Sequence, residues 1–221
     1  MSRATLGRIG QALRLTRTEV AYLFSLAGAP VPTGPPPDVE IDDHVRLVLR
    51  QLKLPALVLS PCLQVVAFNS FADALFRFAD DQTPLGGNHA WRLFMDPRRR
   101  KLYVDWEDVA RSTVGVLRLR QGTRRDDPSL EALLSALRGA SSDFLRLWNE
   151  GRPLPLESSI VRMRHYVFGA ITVATARFLL PSDPDYCLAT LPPADSNTVA
   201  AFVGYAGRAS TWHPDEATQG L

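Results

Sequence analysis

Apolar residues recur at helical spacing in the first 28 residues: Leu6, Ile9, Leu13 and Leu15 suit one short helix, and Val20, Leu23, Phe24 and Ala27 a second. Thr16, with Glu19 three residues on, makes a capping box for the second helix, and Gly28 is its stop. Five prolines between Gly28 and Pro37 can neither continue a helix nor join a central strand, which predicts a semi-rigid linker over 29–38. Beyond it, Val39–Leu52 reads as a helix with Val45, Val48, Leu49 and Leu52 on one face. Leu54–Ser60 and Leu63–Phe68 read as short strands joined at Ser60-Pro61. Asn69 is placed to cap a helix over Ser70–Phe78, in which Phe71, Ala74, Leu75 and Phe78 are spaced for burial.

The middle of the chain keeps the helical period. Asp96-Pro97 and Asp127-Pro128 each set a capping carboxylate before a proline suited to the first helical position. One helix is predicted through 98–120, with Leu102, Trp106, Val109, Thr113, Val116 and Leu117 on a single face. A second carries Leu130, Leu133, Leu134 and Leu137 and stops near Gly139, and a third, Ser142–Glu150, ends at Gly151. From Leu156 the period falls to two. Strands over Ile160–Tyr166, Ala170–Leu180 and Tyr186–Leu191 form an antiparallel meander, and a helix at Thr198–Tyr205 precedes a polar tail, 207–221. Two hairpin strands beside three meander strands predict an α+β domain over 39–206. Its layout is PAS-like: a five-stranded antiparallel sheet with helices on one face, preceded by a short helical pair.

Composition adds little to this picture. Of 221 residues, 46% are apolar and 22% charged, which fits a globular chain with a real core. Apolar stretches such as Leu54–Leu59 fall short of the ~18–20 residues a membrane span needs, and the N-terminus has no secretory pattern, so a cytoplasmic protein is expected. Cys62 and Cys187 read as buried free thiols. The net charge is only +2, and the densest basic run, Arg98-Arg99-Arg100-Lys101, fans out around a helix and reads as a solvated first turn. Catalytic and phosphate-loop signatures are missing, and His44, His89, His165 and His213 lack metal-ligand spacing, so neither an enzyme nor a cofactor is expected. A haem ligand at His165 is the reading that would change this.

The aromatic residues point to chemistry of another kind. Phe68, Phe71, Phe76, Phe94, Trp106, Phe144 and Trp148 all fall on faces predicted to lie between sheet and helices. Together with Leu75, Val109 and Thr113 they are the candidate wall of a long apolar cavity. A ligand chain of ~14 carbons gains about 0.8 kcal/mol per buried methylene, roughly 10 kcal/mol gross, before the cost of immobilising it. A carboxylate head group needs a cation at the mouth, and Arg118, at the end of the Val114/Leu117 stripe, is the candidate.

These segments resemble the MmyB-like transcription regulators. The resemblance rests on Leu6–Gly28; Leu54–Phe76, with Pro-Ala-Leu-Val-Leu and Val-Ala-Phe-Asn; and Leu93–Arg118, with Phe-Met-Asp-Pro and Asp-Trp-Glu. It continues through Ser142–Trp148 and His165–Pro184. Phe68 stands where the family usually has Trp, and His165-Tyr166 where His-Pro is common. The resemblance implies a ligand-sensing PAS-like domain for a fatty acid or similar apolar molecule. It also implies that 1–28 is the remnant, the last two helices, of a helix-turn-helix domain. The 17–27 helix offers few groups that could read bases, so DNA is an expected partner only of a chain carrying a recognition helix upstream of Met1. The alternative is a dimerisation module without ligand or DNA, a homodimer seamed through Leu23 and Phe24.

Overall fold

Strand β1 (Ala56–Leu59) is buried on both faces in the computed structural model, so four consecutive apolar residues stand where a half-exposed strand would alternate. The structure describes residues 3–15, 17–28, 41–80, 85–124, 127–151, 159–180 and 183–209. Antiparallel to β1 run β2 (Val65–Phe68) on one side and β6 (Asp183–Thr190) on the other, and β5 (Ala176–Leu180) completes a four-stranded sheet of order β2-β1-β6-β5. A separate antiparallel pair joins β3 (Ile160–His165) to β4 (Gly169–Ala174). Gly169 closes its turn with φ +70°, a left-handed backbone open to glycine at no steric cost.

This corrects the expected five-stranded sheet. The run read as one strand, Ala170–Leu180, breaks at Thr175, so that β4 and β5 belong to different sheets. Opposite the break lie Pro192 and Pro193, which have no amide hydrogen to donate to a ladder. What survives there is Ala174 N donating to the Pro192 carbonyl (2.9 Å), Ala194 N donating to the Thr172 carbonyl (2.8 Å), and a lone bridge between Val173 and Pro193.

The helices start where local chemistry predicts. Asn69 caps α4 (Ser70–Phe76) through Ala72 N, Asp96 caps α6 (Pro97–Leu102) through Arg98 N, and Asp127 caps α8 (Pro128–Ala140) through Ser129 N and Leu130 N. Asn88 and Ser141 do the same for α5 (His89–Met95) and α9 (Ser142–Glu150). The single helix expected over 98–120 is instead α6 followed by α7 (Trp106–Thr123). Between them Tyr103 bridges to Met163 while its own amide still closes α6 on the Arg99 carbonyl (3.3 Å), and Val104 N donates to the Arg162 carbonyl at 3.0 Å, so strand pairing takes the next amide a continuous helix would have used. Helix α4 stops at Phe76, before the expected Phe78, because Arg77 turns into the left-handed region (φ 51°).

Helices cover both faces of the sheet, not one. The main core joins Leu57, Leu59, Ala189 and Leu191 to α4, α5, α7, α8 and α9. On the opposite face Ile41 and Leu49 of α3 (Asp43–Gln51) and its approach pack on Ala56, Val58, Leu180 and Tyr186. Helix α10 (Ser196–Ala209) lies on β4, where Thr198 Oγ1 accepts from Thr172 N at 2.7 Å. It extends three residues into the segment read as tail. The N-terminal helices α1 (Arg3–Ala12) and α2 (Arg17–Leu26) pack on each other, and Gly28 follows with φ +62°. Of the two residues expected at a dimer seam, Phe24 is fully buried within the chain and Leu23 is half-buried, whereas Tyr22 and Leu26 are exposed. The Thr16 cap, the linker 29–38 and the tail from 210 lie outside the described residues.

Candidate functional site

Side chains alternate across a strand, so one face of the sheet presents every second residue. On the inner face of the four-stranded sheet these are Leu57 and Leu59 of β1, Thr175 and Arg177 at β5, and Ala189 and Leu191 at β6, and Val161 and Met163 of β3 join them from the separate pair. All eight line one cavity of about 230 Å³. Its roof is a single stripe of α7: Val109, Thr113 and Val116 stand at i, i+4 and i+7. Phe76, His89 and Tyr103 also line it, from three different helix ends, as does Leu63 of the β1–β2 turn. Leu63 adopts φ 62°, unusual for a side chain of that bulk. Exposed residues, among them Asp108, Ser112, Ser159 and Ile160, mark the mouth, where Arg162 is held by both Asp105 carboxylate oxygens at 2.9 and 2.8 Å.

Against this apolar lining stands a small polar group. Arg177 is half-buried, and desolvation lowers its affinity for its proton, offset by the fields of Cys187 and Tyr103. Burial raises the Tyr103 hydroxyl above its ordinary value. Desolvation, followed by the fields of Arg99, Arg177 and Arg92, pushes His89 down to about 3, so its ring is neutral near pH 7. The group offers a cation, a phenol and a neutral imidazole to the polar end of a mainly apolar ligand.

Of the residues singled out in the sequence, Phe76, Val109 and Thr113 meet at this cavity. Leu75 lines a second one. Phe94, Trp106, Phe144 and Trp148 come together elsewhere, as an edge-to-face and stacked series with centroids 5.1 to 5.7 Å apart among the helices. Trp106 is buried, and its Nε1 donates to the Leu93 carbonyl at 3.0 Å. Trp106→Ala is therefore expected to cost about 3 kcal/mol in urea unfolding. Phe71 packs on Phe202 and Tyr205 of α10, and Phe68 is 41% exposed beside Phe78. Arg118 donates to the Trp148 carbonyl and stacks over its ring at 5.1 Å, apart from the cavity lining. His165 also lies off this cavity, its Nδ1 accepting from Val167 N and Phe168 N at 3.1 and 3.3 Å in the β3–β4 turn. The sequence reading passed over Arg177, Tyr103 and His89. Strand parity, which sets Thr175 and Arg177 on one face, was the signal that could have found Arg177. Cys62 is a free thiol beside Asp127 (3.6 Å), pushed up to about 12 by burial and then by that carboxylate. Cys187 is also a free thiol.

An antiparallel sheet whose inner face and overlying helix enclose an apolar hollow with a few polar groups defines a small-molecule-binding domain. The chain belongs to the family described as MmyB-like transcription regulator ligand binding domain, which residues 41–202 match. It is thus the ligand-sensing part of a transcription regulator. The matched stretch covers α3 to α10 as far as Phe202, and leaves α1 and α2 outside. No protein of curated function matches the chain. No helix among the described residues is long and apolar enough to cross a membrane.

Proposed function

We propose that the domain senses an apolar, fatty-acid-like molecule. Its chain would lie along the inner-face side chains under Val109, Thr113 and Val116, and its acidic head would be held by Arg177 beside Tyr103. The observation that carries this reading is a half-buried arginine among the apolar inner-face side chains of the cavity, whose other arginine, Arg162, is held by Asp105 at the mouth. A charge-assisted hydrogen bond there is worth about 1.5–3 kcal/mol. Arg118 lies off the cavity lining, on Trp148, whereas Arg177 is part of that lining, so Arg177 replaces it as the proposed anchor. Occupancy would shift the domain between two arrangements, which reach DNA through the regulator's binding module. The layout that carries this is PAS-like in its antiparallel inner face and helical cover.

Binding of myristate and of tetradecanol, followed by displacement of a fluorescent fatty-acid probe, tests the assignment. Arg177→Gln is expected to weaken the acid about tenfold or more and to leave the alcohol within about twofold, whereas Arg118→Gln changes neither ratio. Equal losses for both head groups would remove Arg177 as anchor. Absence of binding by any C12–C18 acid would remove the ligand class itself.

A further inference from the structure

A second cavity, of about 220 Å³, lies between the end of α4, helix α6 and strand β3, and shares Phe76 as a wall with the first. Leu75, Phe76 and Leu102 make it apolar, yet five cations border it, Arg77, Arg98, Arg99, Lys101 and Arg164, against one carboxylate, Asp96. Two of the five are already matched: Arg77 pairs with Asp80 at 2.5 Å, and Arg98 with Asp96 at 3.0 Å. Lys101 and Arg164 are exposed and make no ion pair among the described residues.

Arg99 is the unusual one. The basic run reads from sequence as a solvated turn, but Arg99 is only 3% exposed, its guanidinium carbon 4.4 Å from the Phe76 ring centre and 5.3 Å from that of Phe78. Its Nε, Nη1 and Nη2 are all buried without a hydrogen-bond partner among the described residues. Burial lowers its hold on its proton, which the neighbouring Tyr103 hydroxyl and Asp96 offset only in part. The hydroxyl is neutral, however, and Asp96 is shared with Arg98 and, at 3.7 Å, with Arg92. His165 cannot supply an anion, since its ring is neutral or cationic and its Nδ1 is occupied in the turn. A buried guanidinium stacked on two phenyl rings and lacking a counter-charge costs stability that an incoming anion recovers.

We propose that this second cavity is an anion site for a small organic oxyanion, a carboxylate or phosphate monoester on a compact apolar body. The charged group pairs with Arg99 from within and with Lys101 and Arg164 at the rim, and the body rests on Leu75 and Leu102. The site is independent of the ligand assigned to the first cavity.

Calorimetric titration of the full chain with phenyl phosphate, benzoate and inorganic phosphate tests it. Saturable binding of one phenyl phosphate per chain is expected, at least tenfold tighter than inorganic phosphate, and it should persist when the first cavity is plugged by Ala189→Phe. Arg99→Met should weaken it at least tenfold, yet unfold at no lower temperature than the wild type without ligand, because a buried unpaired charge is gone. The anion should raise the unfolding temperature of the wild type only. Should Arg99→Met fail to fold, the surface double variant Lys101→Gln/Arg164→Gln decides, with a loss of fivefold or more expected. No saturable binding of any probe, or binding unchanged in the variants that fold, overturns the site. Equal affinity for inorganic phosphate overturns the apolar-body requirement. Binding of a DNA duplex but of none of the three small anions overturns the proposal in favour of a contact to backbone phosphates.

Discussion

Ala189→Phe should abolish binding of a C14 acid, a loss on the order of 1000-fold (about 4 kcal/mol), while the domain stays folded. Ala189 lies on the inner face of β6, opposite Leu57 of β1 and Arg177 of β5. A benzyl side chain there projects into the hollow under Thr113, where the ligand's methylenes would lie. Each methylene excluded forfeits about 0.8 kcal/mol, so displacing five or so accounts for the effect. Overpacking a filled core typically costs about 1–3 kcal/mol, but here the new ring occupies space that is already empty, so the stability change should sit at or below that range. Urea unfolding and probe displacement on the same sample separate the two effects. A variant that folds and still binds the acid within about tenfold of wild type would place the ligand somewhere else.

Asn69→Asp should cost about 4 kcal/mol of folding stability, more than its small chemical change suggests. The buried Asn69 amide ties three elements at one point. Its Oδ1 accepts from Ala72 N (2.9 Å) at the start of α4 and from Ala56 N (3.1 Å) at the start of β1. Its Nδ2 donates to the carbonyls of Leu54 (2.8 Å), Leu49 and Leu52 (both 3.3 Å). A carboxylate keeps the two accepting roles but turns a buried negative oxygen toward three carbonyls that lose their donor. The new carboxyl is then harder to ionise folded than unfolded, so the folded state binds its proton more tightly. The penalty is present at pH 7 and shrinks as pH falls through the raised folded pKa, where the protonated group can donate again. Urea midpoints for both proteins between pH 7 and pH 4 check this. A gap that does not narrow on acidification would show that the Nδ2 bonds carry little of the stability.

Features that depend on neighbours in sequence were legible in it. The Asn69, Asp96 and Asp127 caps act over two or three residues, and Leu130, Leu133, Leu134 and Leu137 form the buried stripe of α8 as their spacing requires. Helical periodicity also marked Trp106 and Phe144 as inward, and both are buried. It could not say into which interior they point, because the spacing of one helix carries no information about what packs on it. The four aromatics therefore read as a cavity wall, although the structure stacks them on one another. The basic run failed for a related reason: α6 is one and a half turns long and pinned at both ends, so Arg99 is turned onto Phe76 and Phe78 and away from water.

The amino-acid sequence by itself determined the α+β class, most of the strands and helices in their order, the Asn69, Asp96 and Asp127 caps, and the resemblance that residues 41–202 substantiate, but it showed no helix at α5. Tertiary structure alone decided where helix gives way at Tyr103, where the long strand parts at Thr175, and that helices lie on both faces of the sheet. It also decided which arginine reaches the cavity. The first two rest on partners distant in the chain, Met163 for Tyr103, and Pro192 and Pro193 for the residues just before Thr175. Local propensity is too weak to outweigh hydrogen bonds and burial contributed from far along the chain.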